Sequence, residues 1–318
     1  MLGTASHLAV SAVYAESLSF AGASMSVSVD RVRNRVPACC ARQRLQARAG
    51  GRERVERFCA GLRDTDRGGS PSMSVLDHSL LSERYFFPRP DAPPEPWIVD
   101  GLACARHSRR RGVALLHFHG NGEVVADWLG EFASALDAGG VDTYFAEYRG
   151  YGGSTGRPSL SALLEDALTV FDAMERAPEE VVVYGRSIGS LAAAHVAAHR
   201  PVRALVLESG IADLYERIAL RVRPSDLDAT EQDMRRAVKA SFDQEAKLAR
   251  STCPVLLLHT EHDGMVEKHH AERNAAAAGD RAKLIVFPRG DHNTIHAFNG
   301  EAIVRMVLSC TVRTSDPG

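Results

Sequence analysis

The sequence predicts an α/β fold, in which helices cover both faces of a mostly parallel, twisted sheet that also carries a short helical insert. Apolar, β-branched runs alternate with segments of helical period between residues 97 and 310, and this alternation is typical of parallel crossover units. The segment GVALLHFHG is almost wholly apolar, as expected of a strand buried on both faces. Residues 211–251 break the alternation with a charged segment of helical period, which predicts the insert.

The predicted strands share a high content of apolar and β-branched residues, and turn residues bound most of them. The first, WIVDGLACARH, is interpreted as one continuous strand. Helical segments or the insert separate most of the strands, so their neighbours in the sheet should run parallel. The strands cover residues 97–107, 112–120, 141–147, 180–185, 202–209, 254–260 and 282–288.

The predicted helices share apolar residues at helical spacing, and several have recognisable ends. Gly139 and Gly140 mark the end of the first helix, because glycine readily adopts the conformation that closes a helix. Ser159 follows Pro158 and suits the N-cap of the second helix, which Pro178 should stop. The helices cover residues 124–140, 159–178, 190–200, 268–279 and 296–310.

The first part of the chain differs from the rest in composition. Residues 1–72 have few large apolar residues and an arginine-rich middle, which predicts a disordered tail. Two other interpretations are an over-long gene start, with translation beginning at Met73, and an organellar transit peptide. The folded domain is then expected to cover residues 73–318, with 211–251 as a lid.

Composition excludes several classes of partner. The formal net charge of −2 over 318 residues gives no electrostatic reason to expect nucleic acid or an anionic membrane surface. No apolar run reaches the length of a bilayer span, so stable membrane insertion is not expected. The six cysteines show no metal-ligand spacing, which predicts reduced thiols in a cytoplasmic protein.

Two segments match the pattern G-x-S-x-G that often frames a nucleophilic serine, GRSIG around Ser187 and GGSTG around Ser154. Such a serine works only on a sharp turn between a strand and a helix, which lifts its hydroxyl clear of the sheet. Ser187 lies between the strand VVVY and the helix-forming run SLAAAHVAA, whereas Ser154 lies among glycines and Pro158 blocks an immediate helix. Ser187 is therefore the predicted nucleophile, and Ser154 a loop residue.

Five motifs occur in a characteristic order, namely HFHGNGE (117–123), EYRGYGGSTGRPS (147–159), VVVYGRSIGS (181–190), HTEHDGMV (259–266) and PRGDHNTI (288–295). Through them the chain resembles the α/β-hydrolase superfamily, and more narrowly its small serine hydrolases with an HGN loop and a YRGYG loop. That group includes depalmitoylating thioesterases and many uncharacterised bacterial hydrolases. The resemblance covers about residues 75–310 and implies the α/β-hydrolase fold.

A serine hydroxyl needs an adjacent base, usually histidine, which a carboxylate holds in one tautomer. In the implied fold the acid and then the histidine follow the serine, on loops after later strands. Asp263 follows the strand PVLLLHT and His292 follows AKLIVFP, so these two and Ser187 are the predicted catalytic triad. Glu208 is the alternative acid, since some members of the fold place it one strand earlier, and Asp213 is a further alternative. Taken singly, Asp263 would be a helix cap and His292 a cap or a surface imidazole.

The oxyanion of the tetrahedral intermediate needs two preorganised donors. The backbone N–H of Ile188 is the first, because this residue follows the nucleophile and begins a helix. The second should come from the loop after the strand LLHFHG, where the resemblance implies Asn121. In the same segment, His119 is expected to be a structural hydrogen-bonding residue, and His117 a core or interface residue.

Charged and aromatic residues flank the predicted site. Tyr148, Arg149 and Tyr151 belong to the YRGYG loop and are expected to brace it by stacking and hydrogen bonding. Arg186 precedes the nucleophile and is expected to be exposed by the sharp turn. It should either recognise an acidic or phosphorylated substrate group or, as the favoured interpretation, form a salt bridge.

Together these residues predict a serine hydrolase that cleaves a carboxylic ester or thioester through an acyl-enzyme. No metal or organic cofactor is implied, and the expected partners are a small-molecule acyl ester or thioester and water. The alternatives are an acyltransferase or a serine peptidase with the same triad, and a non-catalytic ligand-binding protein, in which the triad should be broken. The charged insert at 211–251 favours small or medium acyl groups.

Overall fold

The structure is a computed structural model that describes residues 74–312. The predicted tail at residues 1–72 lies outside the described residues. The predicted α/β fold class is confirmed, because an eight-stranded, mostly parallel sheet carries helices on both faces. Within the described part, no helix is both long enough and apolar enough to cross a membrane.

The sheet holds one strand for each predicted apolar run and one more. Its strands are β1 (Trp97–Val99), β2 (Leu102–His107), β3 (Ala114–Phe118), β4 (Asp142–Ala146), β5 (Val181–Arg186), β6 (Ala204–Glu208), β7 (Val255–Thr260) and β8 (Ala282–Phe287). They lie in the order β1-β2-β4-β3-β5-β6-β7-β8. Strands β3 to β8 run parallel, whereas β2 pairs antiparallel with both β1 and β4.

The first predicted strand is wrong in one respect, because residues 97–107 form a hairpin of β1 and β2. Asp100 and Gly101 make the turn, with φ values of 48° and 81°. Positive φ at both central residues defines the tight hairpin turn for which Asp-Gly is a favoured pair. The Asp-Gly dipeptide was therefore the signal for a break within the apolar run.

The five predicted helices are present, and two of them differ from the predicted bounds by more than one residue. Residues 124–140 divide into a 3-10 turn, Val125–Trp128, and a separate α-helix, and the helix predicted to reach Pro178 ends at Ala173. The Ser159 hydroxyl caps this second helix as predicted, accepting the Ala162 N–H at 3.2 Å. The helices are α1 (Ser79–Tyr85), α2 (Glu131–Ala138), α3 (Leu160–Ala173), α4 (Gly189–His199), α5 (Leu214–Ala219), α6 (Glu231–Phe242), α7 (Gln244–Arg250), α8 (Lys268–Ala278) and α9 (Ile295–Ser309).

Two apolar cores lie on opposite faces of the sheet. Successive side chains of a strand point to opposite faces, so Leu115 joins the core under α2 and α9, and Leu116 joins the larger core under α3 and α4. Both leucines are fully buried. Because helices cover both faces of the central strands, the loops at the strand ends are where chemistry can meet solvent.

The insert after β6 comprises α5, α6 and α7. Helix α6 begins with a capping box between Thr230 and Asp233, and it buries Met234, Val238 and Phe242, which recur every four residues. This spacing places the three side chains on one face of the helix. Helix α6 therefore packs through one apolar face, and its charged residues lie outside that face.

Candidate active site

Ser187 lies on the turn between β5 and α4, with a φ of 52° that non-glycine residues rarely adopt. The strand and the helix approach closely on both sides of it. A Cβ atom on Gly185 would lie 2.6 Å from the Cβ of Ala193, and one on Gly189 would lie 2.7 Å from the carbonyl oxygen of His119. Because real Cβ atoms do not come so close to other atoms, only glycine fits at these two positions.

The structure brings together the three residues that the sequence nominates for the triad. Ser187 Oγ lies 3.1 Å from His292 Nε2, and His292 Nδ1 lies 2.8 Å from Asp263 Oδ2. The three residues follow the carboxyl ends of β5, β8 and β7, and each is at most 8% exposed. A hydroxyl, an imidazole and a carboxylate in this line have the geometry that a proton transfer from serine to histidine requires.

Backbone hydrogen bonds fix the carboxylate of Asp263. Its Oδ1 accepts the N–H groups of Met265 at 2.9 Å and Val266 at 2.7 Å, which leaves Oδ2 directed at His292. Burial alone would raise the pKa of Asp263, but the hydrogen bonds from His292 and Val266 outweigh burial and hold this pKa below its ordinary value. An ionised carboxylate keeps the proton of the imidazole on Nδ1, so Nε2 is free to accept one.

The two candidate oxyanion donors lie on the Ser187 turn and in the loop after β3. Ile188 is the N-cap residue of α4. The Asn121 side chain donates to the Tyr85 carbonyl at 2.5 Å and accepts from the Phe87 N–H at 3.1 Å and the Tyr151 hydroxyl at 2.8 Å. The side chain of Asn121 thus fixes its loop, whereas the backbone N–H groups of Ile188 and Asn121 donate to no other described residue.

The YRGYG loop is braced by hydrogen bonds, as expected. The Tyr148 hydroxyl donates to the carbonyl of His119 at 2.7 Å. Arg149 donates to the carboxylate of Asp166 on α3, with Nε at 2.8 Å and Nη2 at 2.7 Å. Tyr151 is fully buried. The loop therefore supports the segment that carries Asn121.

The other serine and the weaker alternative acid have structural partners. The Ser154 hydroxyl accepts the N–H of Ala103 at 2.8 Å, so it fastens its loop to β2. Asp213 is the N-cap of α5 and accepts the N–H of Tyr215 at 2.9 Å. Neither side chain is hydrogen-bonded to His292.

The expectation that the sharp turn exposes Arg186 is wrong, because this residue is only 5% exposed. Residues two apart on a strand share a face, so Arg186 lies on the same inward face of β5 as Tyr184. Its Nε donates to Glu208 at 2.9 Å, its Nη1 to Glu123 and its Nη2 to the carbonyl of His292. The favoured salt bridge is thus present, and it occupies Glu208, the alternative acid of the triad.

The sequence did not predict that Glu123 and Glu208 are the carboxylate partners of Arg186. Burial alone would raise the pKa of Glu208, but His296 and Arg186 lower it below its ordinary value. Burial would likewise raise the pKa of Glu123, and Arg186 lowers it. A signal was visible in the sequence, since Glu208 closes an apolar strand, where a carboxylate is costly to bury without a partner.

The two histidines near the HGN loop are structural in their contacts. His119 Nε2 lies 2.6 Å from Glu147 Oε1, and Nδ1 lies 2.8 Å from the Gly120 carbonyl. Burial alone would lower the pKa of His119, but Glu147 raises it above its ordinary value. His117 is a core residue, with its ring centroid 4.2 Å from that of Trp128, and burial lowers its pKa well below the ordinary value.

Within residues 74–312, one group of side chains has the composition of a metal site, namely Glu216, His269 and His270. The Ala212 N–H donates to His270 Nδ1 at 3.2 Å. Burial and the neighbouring His269 lower the pKa of His270 to about 4, so the neutral ring carries its proton on Nε2. That nitrogen is 3.3 Å from Glu216 and has no lone pair for a metal. The group is therefore explained as a hydrogen-bonded link between the insert and α8.

Comparison with known proteins finds one family profile and several relatives that match part of this chain. The profile of the family described as serine aminopeptidase, S33, matches residues 109–226, which include Ser187. The uncharacterised protein YfhR of Escherichia coli O157:H7 is 29% identical over 211 residues, which are 61% of this chain and 70% of that protein. The lysophosphatidylserine lipase ABHD12 of Mus musculus is 29% identical over 188 residues, 54% of this chain and 46% of that protein.

Solved structures share the architecture at low sequence identity. A monoacylglycerol lipase from Paleococcus ferrophilus is 18% identical with a TM-score of 0.53, and the match covers 66% of this chain and 99% of that one. At this identity the likeness establishes a common fold. The position of Ser187 on its turn, with loops after later strands above it, is the arrangement that this fold uses for a nucleophile.

Proposed function

We propose that this chain is a serine hydrolase of the α/β-hydrolase superfamily that cleaves a carboxylic ester or thioester through an acyl-enzyme. The observation that carries the proposal is the hydrogen-bonded line in which Ser187 Oγ lies 3.1 Å from His292 Nε2 and His292 Nδ1 lies 2.8 Å from Asp263. The strained φ of 52° at Ser187 supports it, since such strain is retained chiefly at functional positions.

In the acylation step, Ser187 Oγ attacks the carbonyl carbon of the substrate while His292 Nε2 accepts the hydroxyl proton. Asp263 stabilises the imidazolium that forms. The negative charge that develops on the carbonyl oxygen is held by the backbone N–H groups of Ile188 and Asn121. His292 then returns the proton to the departing alkoxide or thiolate, which leaves the acyl group on Ser187.

In the deacylation step, water replaces the alcohol or thiol. His292 removes a proton from water as the water oxygen attacks the acyl carbon, and the same two N–H groups hold the second oxyanion. The tetrahedral intermediate collapses when His292 protonates Ser187 Oγ, which releases the carboxylic acid. An added alcohol or amine could take the place of water, so an acyltransferase remains the alternative with the same triad.

The surroundings of the triad favour an apolar acyl group of small or medium size. Phe87 is 39% exposed and donates its N–H to the side chain of Asn121. On the other side, Met265 is 41% exposed, and its sulfur lies 3.8 Å from Asn293 Nδ2, next to His292. Two apolar side chains, one on a segment bonded to Asn121 and one two residues after Asp263, are therefore exposed. The relative ABHD12 is named a lysophosphatidylserine lipase, which supports an ester of an acyl group as the substrate.

A serine peptidase is the second candidate, and it is favoured by the description of the matching family, serine aminopeptidase. The two candidates differ in leaving group, because a peptidase must protonate an amine. We would compare p-nitrophenyl esters and acyl thioesters of increasing chain length with aminoacyl p-nitroanilides. Faster hydrolysis of the anilides would favour the peptidase over the esterase.

Labelling with a fluorophosphonate probe tests the nucleophile directly. Wild-type protein and the control variant Ser154→Ala should both be labelled, because Ser154 only fastens its loop to β2. Ser187→Ala should lose labelling and at least about a thousandfold of esterase activity. Labelling that survives in Ser187→Ala but disappears in Ser154→Ala would overturn the proposal.

A further inference from the structure

One buried guanidinium lies on the segment of the proposed nucleophile and is bonded to two other segments that carry proposed catalytic groups. Arg186 directly precedes the nucleophile and belongs to β5. Its Nη1 donates to Glu123 and its Nη2 to the main-chain carbonyl of His292. Its Nε donates to Glu208 at 2.9 Å. The five N–H groups of a guanidinium have a fixed planar arrangement, so the three acceptors are held in one geometry.

The bond to Glu123 connects Arg186 with the oxyanion loop. Glu123 Oε2 accepts the N–H of Gly120 at 2.8 Å and the indole N–H of Trp128 at 3.2 Å, while Oε1 faces Arg186. Gly120 directly precedes Asn121, whose backbone N–H is a proposed oxyanion donor. A shift of Glu123 would therefore displace that donor relative to Ser187.

The loop of the proposed base is held at His292 and again at His296, at the start of the following helix. Arg186 binds the carbonyl of His292 itself. Glu208, the second carboxylate partner of Arg186, accepts from His296 Nε2 at 2.7 Å, and His296 lies in the first turn of α9. The main chain of His292 therefore cannot move relative to Arg186, and hence to the neighbouring Ser187, without breaking a bond of this network.

We propose that Arg186 is a positioning residue, which holds the nucleophile turn, the oxyanion loop and the His292 loop at their catalytic separations. It touches neither the substrate nor the reacting atoms, and it acts through Glu123, Glu208 and the carbonyl of His292. The inference rests on the proposed function of the triad. A lysine could not replace it fully, because one ammonium group does not match three acceptors in a plane.

Arg176 provides a matched control at the opposite edge of the sheet. It is also buried, with 4% of its side chain exposed, and it pairs with Asp142 at 2.9 Å and Glu180 at 3.3 Å. Its Nη2 donates to the carbonyl of Gly112 at 2.9 Å. Arg176 therefore makes the same kinds of bond as Arg186, but to residues at the amino ends of β3 and β4.

The test measures kcat, KM, the rate of fluorophosphonate labelling and the Tm of Arg186→Gln, Arg186→Lys and Arg176→Gln. A displaced nucleophile, base or oxyanion donor slows chemistry more than binding. Arg186→Gln should lose about a hundredfold in kcat and in labelling rate, with KM within about threefold of wild type. Arg186→Lys should recover about tenfold of that loss. Arg176→Gln should lower Tm but keep kcat within about twofold.

A second variant, Glu123→Gln, tests the same bond between Arg186 and Glu123 if Arg186→Gln does not fold. Glu123→Gln still accepts the Gly120 N–H but loses the charged pair with Arg186, so kcat should again fall more than KM rises. Lowered Tm with near-normal kcat in both Arg186→Gln and Glu123→Gln would overturn the positioning role. Absence of labelling at Ser187 in the wild-type protein would instead contradict the proposed function. Failure of the positioning role and failure of the proposed function can therefore be distinguished.

Discussion

Two buried aspartates at opposite edges of the sheet share a hydrogen-bonding pattern but differ in their third partner. Asp142 begins β4, and Asp263 follows the end of β7. Each accepts two backbone N–H bonds, at 2.9 and 3.0 Å for Asp142 and at 2.9 and 2.7 Å for Asp263. Asp142 also pairs with Arg176 at 2.9 Å, whereas Asp263 pairs with His292 at 2.8 Å.

The difference shows that a buried, backbone-bonded carboxylate is not by itself a sign of catalysis. The planar guanidinium of Arg176 binds Asp142 and neighbouring acceptors in a fixed geometry, so Asp142 and Arg176 form a structural link between strand ends. His292 can gain and lose a proton, and its other nitrogen faces Ser187 Oγ at 3.1 Å. We therefore expect function to depend on the partner of the carboxylate rather than on the carboxylate itself. The loops at the carboxyl ends of the strands supply that partner, His292, and the adjacent Ser187.

The largest expected effect separates the two aspartates by activity. Asp263→Asn should lower kcat about a thousandfold to ten-thousandfold, because an amide neither selects the productive tautomer of His292 nor stabilises its protonated form. Asp142→Asn should keep kcat within about twofold but lose about 3 kcal/mol in the free energy of unfolding, as expected when a buried ion pair is broken. Ester kinetics and urea unfolding of both variants check this. Equal losses of kcat would contradict the division between the two edges.

The next effect compares two glycines at the two edges. A Cβ on Gly189 would meet the backbone carbonyl oxygens of Phe118 and His119, whereas a Cβ on Gly112 would have no atom within 4 Å. Gly189→Ala should therefore cost about 2 to 3 kcal/mol in the free energy of unfolding and also lower kcat, because the turn that carries Ser187 must open. Urea unfolding measures this loss in free energy, and the m-value should stay unchanged.

Gly112→Ala is the control for this comparison. We expect its free energy of unfolding to stay within about 0.5 kcal/mol of wild type, with unchanged kcat. A loss as large as that of Gly189→Ala would mean that close approach at the Ser187 turn is not the cause.

The sequence predicted most of the fold because its signals are local. The parallel strands are continuous apolar runs, Ser159 caps its helix through the Ala162 N–H at 3.2 Å, and Ser187 lies directly between a strand and a helix. The hairpin at Asp100 was missed although its signal was equally local, since the apolar pattern continues on both sides of the turn.

The candidate site was less predictable where it depends on distant partners. Ser187 and His292 are 105 residues apart, and only the motif order of a known superfamily suggested that they meet. No such rule covered Arg186, whose partners Glu123 and His292 are 63 and 106 residues away. Its burial depends on which face of β5 it lies on and on carboxylates from other strands, and a local pattern contains neither.

The smallest expected effect is the pH dependence of the free energy of unfolding, which compares the two aspartates in stability alone. Burial alone would raise the pKa of Asp142, but the Arg109 N–H and the Ser108 hydroxyl outweigh burial and hold it below its ordinary value. A carboxyl whose pKa is lowered by folding stabilises the protein at pH above its unfolded pKa of about 3.9. This contribution is lost as the pH falls through the folded pKa. The pKa of Asp263 is also lowered, so the same sign applies at both edges.

Asparagine does not titrate, so the difference in free energy of unfolding between wild type and Asp142→Asn should be constant from pH 7 to about 5 and shrink below about pH 4. Asp263→Asn should show the same narrowing below about pH 4, because folding also lowers the pKa of Asp263. Urea unfolding at pH 7, 5, 4 and 3 measures both curves. A difference for Asp142→Asn that stays constant to pH 3 would mean that its hydrogen-bond donors do not lower its pKa. The difference in free energy of unfolding should shrink at low pH in both variants, while only Asp263→Asn loses kcat. That result would mean that His292 and Ser187, and not the carboxylates, distinguish the two edges of the sheet.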